Sequence, residues 1–311
     1  MNDKFDELAR GLAQSVTRRA ALKQFGVGLA GIALATMGLC PAEAITLGVL
    51  DGEAHPNVGV VVYLKTPWAP EQAPLACCSG TLVHPRVFLT AGHCTFNTQG
   101  GIRDGLLTTE DLRISFGTNA LDTRTWRAVS QVITHPDYAA KEKTEAGYGA
   151  IPLADVGVVI LKEPVVGLTP AQVAPQGFLE SLQAANVLRK GPNGARFTVV
   201  GYGIELGDPP GQLPFPPDGA RRVALSEFMH YNDRWLFLDQ NGAHYNGGAA
   251  NCDSGGPAFW VDSLTGVPTL VALTSRGDAR NRAIAIDYRV DTAEALAFIN
   301  QIIAKVEAGE L

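Results

Sequence analysis

From Ile45 onward, short apolar runs alternate with polar turns. Val58 to Leu64, Gly80 to Thr90, Leu112 to Phe116, Arg127 to Ile133, Val156 to Leu161, Arg196 to Tyr202 and Leu270 to Thr274 are rich in Val, Ile, Leu, Phe and Tyr. They are predicted as strands, because β-branched and aromatic side chains fit a pleated, half-buried surface. Two long segments, Asn97 to Asp111 and Gly203 to Ala220, are expected as surface loops. The second contains Asp208-Pro209-Pro210-Gly211 and Pro214-Phe215-Pro216-Pro217, whose fixed φ and missing N–H groups exclude helix and sheet interiors. One helix is expected, at the end of the chain. Asp291 is read as its N-cap with Glu294 three positions on, and Ile299, Ile302, Ile303 and Val306 follow on one face. No internal repeat or low-complexity linker interrupts this pattern, which fits a closed or sandwiched β architecture.

The first 44 residues do not share it. A polar stretch from Met1 to Val16 leads into Thr17-Arg18-Arg19-Ala20-Ala21-Leu22-Lys23, then an apolar run from Phe25 to Leu39 that ends near Pro41-Ala42-Glu43-Ala44. This resembles a twin-arginine export signal, and the A-x-A ending suits cleavage after Ala44. The apolar run falls short of the ~20 residues needed to span a bilayer. Cys40 follows the bulky Leu39 where a lipoprotein signal has a small residue, so it is assigned to the discarded segment. The product is expected to be exported, periplasmic or extracellular, and free of the membrane after cleavage. That compartment is oxidising, which makes Cys77, Cys78, Cys94 and Cys252 candidates for disulfides.

Composition narrows the function classes. Hydrophobic residues make up 46% of the 311-residue chain and charged residues 18%, enough to bury a core without special stapling. The net charge of −6 and the absence of any dense Lys/Arg run argue against nucleic acid as a partner. Neither C-x-x-C nor H-E-x-x-H occurs, so no metal and no cofactor is expected.

Three segments carry chemistry. Asn251-Cys252-Asp253-Ser254-Gly255-Gly256-Pro257 places a serine in a glycine-rich turn that can expose its hydroxyl and aim backbone N–H groups at a developing oxyanion. By itself such a run also describes an ordinary surface turn. Cys78-Ser79-Gly80-Thr81-Leu82-Val83 leads through Arg86-Val87-Phe88-Leu89 to Thr90-Ala91-Gly92-His93-Cys94. Ala154-Asp155-Val156-Gly157-Val158-Val159-Ile160-Leu161 supplies a carboxylate at the head of an apolar strand, preceded by His135-Pro136-Asp137-Tyr138. Asp137 is a rival carboxylate, but an aspartate beside proline is usually a turn former. Of the six histidines, His55, His84, His135, His230 and His244 are assigned structural roles.

Together these segments resemble the trypsin/chymotrypsin family of serine proteases, with C-x-G-[ST]-L-[VI], T-A-[AG]-H-C, D-[IV]-[AG]-x-x-x-L and D-S-G-G-P in the family's order. Val200-Gly201-Tyr202-Gly203 and Leu273-Thr274-Ser275-Arg276-Gly277 extend the likeness over nearly all of residues 45–311. The resemblance implies an all-β fold of two packed antiparallel six-stranded barrels with a C-terminal helix. Barrel one is expected over about 45–165, barrel two over about 180–290 and the helix over about 292–306. It implies a monomeric serine endopeptidase acting on protein or peptide substrates, with His93 as base, Asp155 as its orienter and Ser254 as nucleophile. Backbone N–H groups of Cys252 and Ser254 would form the oxyanion hole, and Gly248, Ser275, Arg276 and Gly277 would contact substrate. A disulfide is implied between Cys78 and Cys94, and an ion pair between an Ile45 ammonium and Asp253.

The sequence also departs from the family. Cys252 stands where a glycine normally supplies an oxyanion donor, which keeps a catalytically impaired binding protein as the alternative reading. Cys77 and Cys252 are expected to be unpaired. Gly248 occupies the position where trypsins carry an acid, so the specificity pocket is expected not to be tryptic, with Arg276 near its mouth.

Overall fold

The structure is a computed structural model that describes residues 45–67, 73–139, 141–143, 150–191, 194–203, 218–278 and 283–311. The expected export segment and residues 204–217 of the proline-rich loop lie outside the described residues. Sixteen strands lie among the described residues: β1 (Val49–Leu50), β2 (Val58–Tyr63), β3 (Leu75–His84), β4 (Val87–Thr90), β5 (Leu112–Ser115), β6 (Trp126–Thr134), β7 (Lys141–Lys143), β8 (Ala150–Pro152), β9 (Gly157–Leu161), β10 (Gln172–Val173), β11 (Arg196–Gly201), β12 (Arg222–Tyr231), β13 (Trp235–Asp239), β14 (Pro257–Val261), β15 (Pro268–Gly277) and β16 (Ile284–Arg289). Among the same residues three α-helices accompany them: α1 (Gly92–Arg103), α2 (Phe178–Ala184) and α3 (Ala293–Glu307).

Barrel one closes in the order β2-β3-β4-β9-β6-β5. Barrel two runs β12-β11-β14-β15-β16-β13 and closes through the β12–β13 pairing, with β1 added beside β12 and β10 beside β15. All pairings within the two barrels are antiparallel, as the family resemblance implies. Full closure removes the exposed edges that would otherwise invite strand pairing with other chains.

Why several strands read as unbroken apolar runs is now plain. β2 (VGVVVY) and β9 (GVVIL) are buried at every position. One face of each lines the barrel interior, with Val61 and Val159 beside Leu82, Phe88 and Leu112. The other joins a cluster shared between the barrels and α3, where Val58, Val60, Val158 and Ile160 meet Phe259, Leu273, Tyr288 and Phe298. A strand covered on both faces has no reason to alternate.

Four local expectations are corrected. Gly80 to Thr90 is a hairpin turning at Pro85-Arg86, so it contributes to two strands rather than one. The first residues of the loop expected at Asn97 to Asp111 belong to α1, which shows no apolar periodicity because tertiary contacts hold it: Thr98 hydrogen-bonds Tyr63, and Gln99 Nε2 donates to Val132 O at 2.7 Å. Helix α2 was not expected, since seven residues are too few to display a period. The N-cap of α3 is Thr292, whose hydroxyl accepts from Ala295 N–H at 3.2 Å, not Asp291. Asp291 is fully buried and instead accepts from Leu179 N–H at 2.9 Å and from the Arg289 guanidinium, tying β16 to the start of α2. Of the apolar face expected for α3, Ile299, Ile302 and Val306 are buried and Ile303 is half-buried, and Phe298 joins the buried side. No described helix is long and apolar enough to cross a membrane.

Candidate active site

His93 occupies the first turn of α1, immediately after β4. The first N–H groups of a helix have no intrahelical acceptor. That of His93 is taken by Asp155 Oδ1 at 2.8 Å. The same carboxylate accepts from the ring, with His93 Nδ1 at 3.1 Å from Oδ1 and 3.0 Å from Oδ2. Register explains the meeting: Thr90 at the end of β4 pairs with Gly157 at the start of β9, so the residues just beyond each strand face one another. Gly92 lies in this junction because a Cβ there would meet Val156 N at 2.8 Å and Ala154 O at 3.1 Å.

Asp155 is 1% exposed, and a third donor reaches it: Ser275 Oγ at 2.5 Å from Oδ2. Burial alone would raise its pKa, but the facing His93 charge and the hydrogen bonds from His93 and Ser275 together hold the carboxyl below the ordinary aspartate range. Asp155 is therefore an anion aimed at the imidazole. Ser275, expected among the substrate contacts, spends its hydroxyl on positioning Asp155, a role that no local pattern signals. The rival Asp137 is exposed in a 3-10 turn, and its N–H donates to His135 Nδ1 at 3.2 Å.

Ser254 is half-buried in the turn between Gly248 and β14. The turn is pinned on its downstream flank, where Gly255 N–H donates to Thr274 O at 2.7 Å and Thr274 N–H to Gly256 O at 2.8 Å. Gly255 has φ of +83°, and a Cβ there would collide with Thr90 Oγ1 and Ala91 N. Only glycine allows this approach, which lays the serine turn against the residues leading into His93. Cys94 Sγ, next to His93, lies 3.7 Å from Ser254 O. Within the turn the N–H groups of Asp253, Gly255 and Gly256 all find backbone acceptors. Those of Cys252 and Ser254 donate to no acceptor among the described residues.

The upstream flank overturns one expectation. Cys77 and Cys252 are not free: they form a disulfide across 175 positions, with Cα atoms 4.5 Å apart. The bridge expected between Cys78 and Cys94 is also formed, with Cα atoms 6.1 Å apart. What sequence spacing could not show is that Cys78 N–H donates to Cys252 O at 3.1 Å, so the β3 backbone runs directly beside the serine turn. Cys252 has φ of +70°, in the left-handed region that favours glycine, which is the residue the family places there.

Asp253 is fully buried. It accepts from Ala250 N–H at 2.8 Å and Gly203 N–H at 2.7 Å, but burial outweighs these bonds and pushes its pKa up to about 7. Ile45 is 1% exposed among Phe197, Leu236 and Leu238, and Thr46 exchanges both backbone hydrogen bonds with Gly248, at 2.8 and 3.0 Å. A Cβ on Gly248 would strike the buried side chain of Gln240. Arg276 and Gly277 end β15, with a register shift between Thr274 and Arg276.

One acid was missed by the sequence. Asp287 on β16 pairs directly with Thr274, the residue bonded to Gly255 and Gly256. It is completely buried, its two carboxylate oxygens have no hydrogen-bond partner among the described residues, and burial pushes its pKa up to about 7. Because it sits 33 positions beyond Ser254 in sequence, only the β15–β16 register reveals it. Among the described residues, His135, Asp137 and Glu294 bring three potential metal ligands within 4.8 Å, but His135 Nδ1 already accepts the Asp137 N–H.

A family model described as Trypsin matches residues 60–296, more than half of the chain. No curated protein matches it.

Proposed function

The chain belongs to the trypsin family, and from that premise we propose that it is a serine endopeptidase with His93, Asp155 and Ser254 as its catalytic residues. Membership in the family implies a serine-type peptidase acting on proteins or peptides. The observation that carries the finer reading is the set of three donors on Asp155, from His93 N, His93 Nδ1 and Ser275 Oγ. A buried anion in that position fixes the Nδ1–H tautomer, leaving Nε2 as the base.

In the proposed reaction, His93 Nε2 takes the Ser254 Oγ proton as Oγ attacks the scissile carbonyl. The tetrahedral oxyanion is received by the two uncommitted N–H groups, of Cys252 and Ser254. The imidazolium then gives its proton to the departing amine, which leaves an acyl-enzyme. Water deprotonated by the same imidazole attacks the ester, and Ser254 regains its proton. A missing oxyanion donor costs about 2.7–4 kcal/mol. The geometry at Cys252 supports retention of that donor, because the bridge to Cys77 holds the residue in the conformation a glycine would otherwise be needed to adopt.

Residues 1–44 act in this reading as a cleaved export signal, delivering a monomer to a periplasmic or extracellular location. Cleavage after Ala44 would create an Ile45 ammonium, and Thr46 already pairs with the loop leading to Asp253. An ammonium reaching the buried Asp253 would draw its pKa back down and fix the serine turn.

The test is labelling of the mature protein by a fluorophosphonate, with Ser254→Ala and His93→Ala alongside and the N-terminus sequenced. Labelling of wild type alone, on a chain beginning at Ile45, is the expected result. A folded wild type that resists the label would favour the catalytically impaired binding protein, with the oxyanion turn distorted at Cys252.

A further inference from the structure

Two disulfides leave neighbouring residues of β3, and they differ in what can reach them. Cys78 and Cys94 are 9% and 3% exposed and lie within the apolar cluster of barrel one. Cys77 and Cys252 are both half-buried. A cavity of about 570 Å³ touches Cys77, with room for a small thiol or disulfide, whereas Cys78 and Cys94 reach its wall only through those small exposed fractions. Thiol–disulfide exchange needs a thiolate to approach a sulfur, so access makes the Cys77–Cys252 bridge the exchangeable one.

That bridge holds the backbone of the serine turn. Asp253 N–H donates to Ala250 O at 3.2 Å, closing a four-residue turn with Cys252 in its third position. The φ of +70° at Cys252 marks this turn as type II, which favours glycine there. A type I turn keeps the same Ala250–Asp253 bond and suits most residues, but it reverses the peptide between Asn251 and Cys252, and with it the Cys252 N–H. The Cys252 N–H donates to no acceptor among the described residues, and the bond from Cys78 N–H to Cys252 O, at 3.1 Å, holds the carbonyl beyond the reversed peptide, so neither opposes the change. The bridge does, by fixing the Cys252 side chain on β3.

We propose that the Cys77–Cys252 bridge is a thiol-exchange switch on the oxyanion site: closed, it keeps the Cys252 N–H turned to the reacting carbonyl; opened, the turn reverts to type I and the donor is lost. The inference rests on the acyl-enzyme reading above. Closure consumes the disulfide of a small-molecule or protein oxidant. One cysteine thiolate attacks it, displacing a thiol and forming a mixed disulfide, and the other cysteine attacks that and releases the second thiol. Two protein S–H bonds become one S–S bond, while the oxidant's S–S bond becomes two S–H bonds. Thiols are kept reduced inside most cells and disulfides persist outside them, so the site is completed only where the expected export delivers the chain.

The test titrates the full mature protein with dithiothreitol. At each step free thiols are alkylated and mapped, kcat and KM are measured on a peptide ester, and far-UV circular dichroism gives the folded fraction. Cys77 and Cys252 are expected to become alkylated at lower dithiol than Cys78 and Cys94. Over that range kcat falls by about tenfold or more with KM little changed, because an oxyanion donor acts in the transition state, and oxidised glutathione restores it. On a Cys77→Ser background, Cys252→Gly should be faster than Cys252→Ala by about fivefold or more, since only glycine holds a positive φ unaided, and neither should respond to dithiol. Unchanged kcat in protein alkylated at Cys77 and Cys252, equal rates for the glycine and alanine variants, simultaneous opening of both bridges, or opening that unfolds the chain overturns the switch, while the acyl-enzyme burst of the oxidised protein remains. An oxidised wild type that gives no burst overturns the acyl-enzyme reading and the switch with it.

Discussion

Barrel one and barrel two share a strand count and a mode of closure, yet their interiors differ in chemistry. Barrel one is filled by Val61, Leu82, Phe88, Leu112, Ile114 and Val159, and among its described residues only Thr81 Oγ1 is a buried side-chain atom without a partner. In and beside barrel two, Gln240, Asn246 and Asp287 each bury both polar atoms of the side chain with no partner among the described residues. Each such group costs on the order of 1–3 kcal/mol. The two halves of the site inherit this difference. His93 rests on an apolar barrel, a short local disulfide and a helix start. Ser254 rests on a turn flanked by the buried acids Asp253 and Asp287, both with pKa values near 7. Barrel one supplies rigidity from packing, whereas barrel two carries polar cost that its own stability must offset.

The contrast can be attacked where the halves meet. Asp155→Asn keeps the shape of the side chain but removes the anion that sets the His93 tautomer. Turnover of a peptide substrate should fall by about ten-thousandfold, and a loss below tenfold would mean that Asp155 only fills space.

The disulfides test which barrel depends more on its staple. In the chain-entropy view, the bridge across 175 positions limits the unfolded chain more than the one across 16, by about 5 against about 3 kcal/mol. Cys77→Ser with Cys252→Ser should therefore lower the thermal midpoint further than Cys78→Ser with Cys94→Ser. Equal losses would show that anchoring at His93 contributes as much as the long-range closure.

The smallest effect is a dependence on pH. The folded pKa of Asp287, near 7, lies above the unfolded aspartate value. Between about pH 4 and pH 7 the unfolded chain releases this proton and the folded one retains it. Stability consequently declines as pH rises through that window and levels off above it. Asp287→Asn, neutral at every pH, should be worth more at pH 8 than at pH 4 in chemical denaturation. An effect of the same size at both values would mean that the carboxyl does not titrate on unfolding.

Legibility in the sequence followed chain distance. The segment from Cys78 to Cys94 holds the histidine and both halves of a bridge within 17 residues, so the family resemblance could be read from it, although its strand pair was read as a single strand. Helix α3 was legible because 15 residues suffice to display an apolar face. Its neighbour α2 is too short to do so, and α1 owes its helix to Tyr63, Val132 and Cys78, none of them on the helix. At the N-cap, Asp291 and Thr292 are both good capping residues, and the choice fell to Thr292 because Arg289 and Leu179 claim the Asp291 carboxylate.

By itself the sequence determined the all-β class, the terminal helix and the segments bearing His93, Asp155 and Ser254, because β-propensity, helical periodicity and contiguous motifs are written within a few residues of one another. Tertiary structure alone decided that Ser275 holds Asp155, that Asp287 lies opposite Thr274, and that Cys77 meets Cys252. Those meetings depend on strand register and on how one closed barrel seats against the other. Both are set by the packing of the whole buried cluster between them, and no short stretch of chain encodes it.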